Sequence, residues 1–91
     1  MDILVITEID LSDNENTTIG VADSPEHAES MIKEHYGKDS YEEINRWDTK
    51  HLNGEFALKL KIYAFDNIDI DEYNVIIRTE WFKLNKLNKI K

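Results

Sequence analysis

The clearest pattern along the chain is a two-residue alternation. Phe56, Leu58, Leu60, Ile62 and Ala64 alternate with Ala57, Lys59, Lys61, Tyr63 and Phe65. Successive side chains of a strand point to opposite faces, so this stretch predicts a strand with one buried and one wetter face. Residues 2–9 are rich in β-branched side chains and predict another strand, covered on both faces at its start. Residues 17–22 predict a short partner for it, and the polar run 10–16 reads as a long acidic hairpin loop. A fourth strand is expected over about residues 73–84. Folding the polar loop 66–71 symmetrically sets Phe56 opposite Trp81, Leu60 opposite Ile77 and Ile62 opposite Val75. All the large apolar partners then share one face, whereas a slip of one residue scatters them.

Between the two strand pairs the period becomes helical. Ser24 can cap free amides, Pro25 suits the first helical position, and Glu26 favours the positive end of the dipole. Ala28, Met31, Ile32 and Tyr36 follow helical spacing on one face, with Glu26, Glu29, Lys33 and Glu34 elsewhere. Gly37 is a stop signal. Ser40 with Glu43 forms a capping-box signature, which predicts a short second helix over 41–47. Asn53-Gly54 marks a tight turn. The expected fold class is therefore α+β: a four-stranded antiparallel sheet of order β-β-α-β-β, one main helix packed on one face, and the short second helix. Met31, Ile32, Leu58, Leu60, Ile62, Val75 and Ile77 are the expected core. No internal boundary interrupts the pattern, so residues 1–84 read as a single domain and 85–91 as a basic C-terminal tail.

One stretch carries a resemblance. Gly20-Val-Ala-Asp-Ser-Pro-Glu-His-Ala28 is a strand running into a capped helix after an acidic hairpin loop. Over roughly residues 3–36 it resembles small uncharacterised bacterial and phage domains of β-β-α order. The resemblance implies the fold of this part and no chemistry.

Charge adds what the hydrophobic pattern lacks. The net charge is −8, and residues 1–30 hold eight acidic side chains with no Lys or Arg. Residues 31–91 balance eleven acids with eleven bases, so the whole excess belongs to the first third. Asp10, Asp13, Glu15, Glu26 and Glu29 are the expected members of an acidic surface able to imitate nucleic acid or otherwise capture a basic protein. The simpler expectation is that these acids keep a small domain in solution. The last eleven residues reverse the sign, with Lys83, Lys86, Lys89 and Lys91 among Leu84, Leu87 and Ile90. Their three-residue recurrence drifts around a helix, so they suit a frayed tail better than a membrane-surface helix.

Composition excludes several classes. At 91 residues the chain supports one small core and little room for a deep cleft, which makes a homodimer attractive. It has no cysteine, which removes disulfides and thiolate chemistry and is compatible with a reducing compartment. Asp2 stands where a signal peptide carries positive charge, and no apolar run approaches a bilayer span. A cytoplasmic protein without membrane contact is expected.

Candidate chemistry is sparse. His27 and His35 lie on one predicted helix but eight residues apart, and Met31 takes the position that a helical zinc site needs for its second histidine. His51 has no convincing carboxylate neighbours. The oxygen-rich runs 10–15 and 66–72 lack the glycine and spacing of a calcium loop. There is no phosphate-binding glycine loop and no nucleophile elbow, and adjacent acids such as Glu42-Glu43 do not face a common site. No catalysis, cofactor or metal is therefore expected. The leading functional expectation is a non-enzymatic protein-binding module, acting as an inhibitor or regulator. The alternative is a small-ligand or single-stranded nucleic-acid site on the wetter sheet face, built from Lys59, Lys61, Tyr63 and Arg78. Net negative charge opposes approach to a polyanion, so a nucleic-acid partner is the weaker expectation.

Overall fold

Six elements form along the chain, and local chemistry explains most of their bounds. The computed structural model describes residues 2–50, 53–64 and 73–83, the side chains of 48–50 excepted. The order is β1 (Asp2–Asp10), β2 (Glu15–Ala22), α1 (Pro25–Tyr36), β3 (Tyr41–Lys50), β4 (Glu55–Ile62) and β5 (Val75–Lys83). The helix begins where Ser24 Oγ accepts the His27 amide at 3.1 Å, with Pro25 in its first turn. It stops at Gly37, whose φ of 89° suits glycine and whose amide reaches the Lys33 carbonyl.

The strands make one antiparallel sheet in the order β2-β1-β5-β4-β3. This corrects the four-strand β-β-α-β-β expectation. The fifth strand is β3, in the place where the capping-box signature predicted a second helix. Tyr41, Ile44 and Trp47 recur every third residue and imitate a helical stripe. Yet most of β4 is buried, and a buried strand needs a partner on each edge. β5 takes one edge and residues 41–50 take the other. Within β3, Ile44 and Thr49 are extra residues relative to β4, so the strand is bulged twice. The expected cap does not form: Ser40 instead donates its amide to Gly37, and Glu43 binds Arg46.

The register of β4 against β5 also differs from the symmetric fold. Leu60 lies opposite Val75 and Leu58 opposite Ile77, a shift of two residues. An even shift keeps every side chain on its face, so hydrophobic patterning cannot distinguish the two registers. Two polar side chains distinguish them. Asn74, only 3% exposed, accepts the Ile62 amide at 2.8 Å and donates to the Ile62 carbonyl at 3.1 Å. At the other end Thr79 Oγ accepts the Phe56 amide at 2.8 Å and donates to the Phe56 carbonyl at 3.1 Å. Each stands in for a backbone partner at an end of the ladder.

The core lies between the sheet and α1. Leu4, Ile6, Ala22, Ala28, Ile32, Phe56, Leu58, Leu60, Ile62, Val75 and Ile77 are buried together, and Met31, Tyr36, Tyr41 and Trp81 pack against them. Six of the seven expected core residues are buried, and Met31 is half-buried at the margin. Glycine allows the helix its close seat. A Cβ on Gly20 would come within 2.7 Å of the Met31 Cε, and one on Gly54 within 2.6 Å of the Pro25 Cγ. Among the described residues no helix covers the opposite face of the sheet. Phe65, Leu84, the loop 66–71 and the tail 85–91 lie outside the described residues.

Candidate functional site

The structure separates the five acidic residues of the expected surface. Asp10, Asp13 and Glu15 gather at the β1–β2 turn. Asp10 accepts the Ser12 amide at 3.0 Å and hydroxyl at 2.8 Å, and Asp13 accepts the Glu15 amide at 3.3 Å. None of the three makes an ion pair among the described residues. Glu26 stands at the start of α1, next to the far end of the hairpin, roughly 25 Å away at about 3.3 Å per strand residue. Glu29 is committed elsewhere. Arg46 grips both of its carboxylate oxygens while also bonding Glu43 from Nε at 2.9 Å, so α1 is stapled to β3. The guanidinium holds the Glu29 carboxyl below its usual range.

The end that carries Asp10, Asp13 and Glu15 is also where β4 leaves and β5 enters, since Asp10 lies opposite Val75 and Leu11 donates to the Asn74 carbonyl. The hairpin turn forms an acidic pole of Asp10, Asp13 and Glu15 at this end of the sheet. The candidate calcium run 66–72 and His51 lie outside the described residues. Among the described residues no three His, Asp or Glu side chains converge as a metal site.

Near this pole, on the helix side, Glu8 forms a small polar cluster. Tyr36 Oη donates to Glu8 Oε1 at 2.9 Å, and the His35 ring stands edge-on to Tyr36 with Nε2 3.9 Å from the same oxygen. Burial first, and the Glu8 carboxylate second, push the Tyr36 hydroxyl well above the usual tyrosine range. Tyr41 is raised too, mainly by burial. The sign follows from proton counting. Unfolded tyrosines ionise at about pH 10, whereas folded Tyr36 keeps its proton, so stability falls as pH rises through that value. Tyr36→Phe is expected to flatten part of this alkaline loss, as measured by urea unfolding across that range. Equal alkaline slopes in the two proteins would show that Tyr36 is not the cause.

The second expected surface is assembled more completely. Lys59, Lys61 and Arg78 all fall on the uncovered face, and Tyr63, 57% exposed, follows at the end of β4. Two aromatic residues that the sequence reasoning missed join them. The Lys59 ammonium lies 4.6 Å from the centre of the Tyr73 ring and 5.6 Å from that of Trp47. Reading 41–47 as a helix hid Trp47. Its strand placement opposite Ala57 could have been found only by pairing that segment with β4. The cations are interleaved with acids: Lys61 lies opposite Glu42, and Glu80 stands two residues from Arg78. Trp47, Val21 and Phe82 on this face are 40%, 46% and 50% exposed.

A groove beside α1 is bordered by His27, Met31, Glu34 and Lys38, but none of its lining residues is buried. It offers neither the enclosure nor the convergent polar groups of a small-molecule site. No described helix is long and apolar enough to cross a membrane. The geometry defines a small α+β domain in which α1 covers one sheet face and no described element covers the other. No protein-family model, curated protein or solved structure matches the chain.

Proposed function

We propose that this chain is a non-enzymatic protein-binding module that captures a basic protein surface through its acidic pole. The observation that carries the reading is the fixed turn in which Asp10 and Asp13 are held by local hydrogen bonds and left without cationic partners among the described residues. Carboxylates ordered in advance lose little freedom on binding, and their common sign steers a basic partner into contact. Glu26 contributes at long range, and Glu29 serves the fold through Arg46. The ligand or nucleic-acid alternative is disfavoured at the open face because Lys59 already occupies the faces of Trp47 and Tyr73 on which a base would stack.

The test uses two variants of equal net charge. D10N/D13N/E15Q keeps the oxygen acceptors of the turn while removing three charges, and D23N/E26Q/E34Q removes three charges from α1 and the residue leading into its cap. Binding is measured against a protein captured from the native host, with immobilised heparin and single-stranded DNA as controls. The turn variant is expected to slow association by about tenfold at low salt, and the helix variant by much less. Equal effects would reduce the pole to general charge, and tight heparin binding by the wild type would overturn the reading.

A further inference from the structure

We propose that the sheet face left open by the described residues is the interface of a symmetric homodimer, in which Arg78 of each copy meets Glu80 of the other. This inference is independent of the acidic pole. On the open face lie Ile3, Val5, Ile9 and Ile76, all half-buried, with Val21 and Phe82 more exposed. Five strands about 4.8 Å apart and about 27 Å long give a face of roughly 650 Å². Two such faces bury roughly 1,300 Å², within the range of stable specific interfaces. Within that face the apolar side chains of β1 and β5 are flanked by charged ones, the make-up of a contact surface with an apolar centre and a polar rim.

Charge identifies the occupant. The chain carries −8, so two copies repel over most of their surfaces. The open face is the exception: Lys59, Lys61 and Arg78 offset Glu42 and Glu80, while Glu55 is buried at its edge and accepts the Trp81 amide. It is where two acidic molecules can approach. The order of charge on the central strand is also self-complementary. Arg78 and Glu80 are both exposed, point to the same side of β5, and make no ion pair with another described residue. A two-fold axis crossing β5 at Thr79, in the plane between two stacked sheets, exchanges these positions. Arg78 then faces Glu80 of the second copy, and Glu80 faces its Arg78. The same axis sets Ile76 against Phe82 and Ile9 against Ile3, apolar against apolar. Such an isologous contact closes on itself as a dimer. The product is a β-sandwich with a helix on each outer side, the sheets aligned to within about 30°. Both acidic poles stay outside it.

Sedimentation equilibrium over a dilution series provides the test. The wild type is expected at twice the 10.7 kDa of one chain. Arg78→Glu alone sets like charges together, as does Glu80→Arg alone, and each is expected to weaken dimerisation by about tenfold or more. The double variant R78E/E80R restores opposite charges and is expected to recover the dimer. Phe82→Glu, at the exposed rim, gives a separate disruption away from the charge pair. Circular dichroism melting of each variant separates loss of association from loss of fold. A wild type that stays monomeric, a single reversal that leaves the dimer intact, or a double variant that stays monomeric overturns the proposal. So does a monomer whose Trp47 fluorescence is quenched by single-stranded DNA, since the face then serves a nucleic acid.

Discussion

Leu60→Ala is expected to destabilise the domain by about 2–5 kcal/mol, the cost of deleting a buried leucine and leaving its cavity. Leu60 is completely buried, lies opposite Val75 on one side and Glu43 on the other, and belongs to the cluster beneath α1. A chain of this size has few other core layers with which to absorb the loss. Each kcal/mol corresponds to about 4–8 °C in the melting temperature of a small domain, so a drop of at least about 8 °C is expected. Thermal unfolding followed by circular dichroism measures it. A melt within a degree or two of wild type would mean that the buried face has been assigned wrongly.

Asn74→Ala is expected to have an effect of similar size for a different reason. The Asn74 side chain supplies the partner of the buried Ile62 amide and of the Ile62 carbonyl. Alanine leaves both without one, at about 1–3 kcal/mol for each unsatisfied buried group. The loss is therefore expected at roughly 2–6 kcal/mol by urea unfolding. Asn74→Asp sharpens the test. A neutral carboxyl can accept from Ile62 N–H and donate to its carbonyl, as the amide does. A carboxylate can only accept. Its folded pKa is therefore raised, and relative to wild type the variant is expected to lose stability as pH rises above about 4, the unfolded value. A penalty that does not change with pH would place the Asn74 contribution in packing and not in this hydrogen-bond pair.

These two residues illustrate how legible the fold was. Leu60 was readable because a strand has a period of two, and its neighbours Leu58 and Ile62 repeat the same signal. Asn74 was not. As one polar residue at the start of the expected fourth strand it gave no sign of its role, which exists only once its side chain reaches the Ile62 backbone. The same contrast separates α1 from β3. The signals of α1 are local: a cap at Ser24, a proline in the first turn, a stop at Gly37. The signal of β3 misled because a capping box is a weak local preference, worth less than the backbone pairing offered by the edge of β4.

The candidate surfaces divide in the same way. The sequence showed that the acidic excess lies in the first third and that Lys59, Lys61 and Arg78 share a face. It could not show that Glu29 would be neutralised by Arg46, seventeen residues away. Nor could it show that Glu26 would stand at the opposite end from Asp13, since hairpin and helix run back along each other.

By itself the sequence determined the local periodicities, the helix and its caps, the buried faces of β4 and β5 and the total charge, because these depend on residues near one another in the chain. The expectation that β1 starts covered on both faces was wrong, since Ile3 and Val5 lie on the face that no described element covers. The tertiary structure decided the number of strands, the two-residue offset between β4 and β5, the sheet face left open by the described residues and the separation of Glu26 and Glu29 from the acids of the turn. Those depend on which backbone groups find partners across the fold, and pairing at long range cannot be read from the preferences of either partner alone.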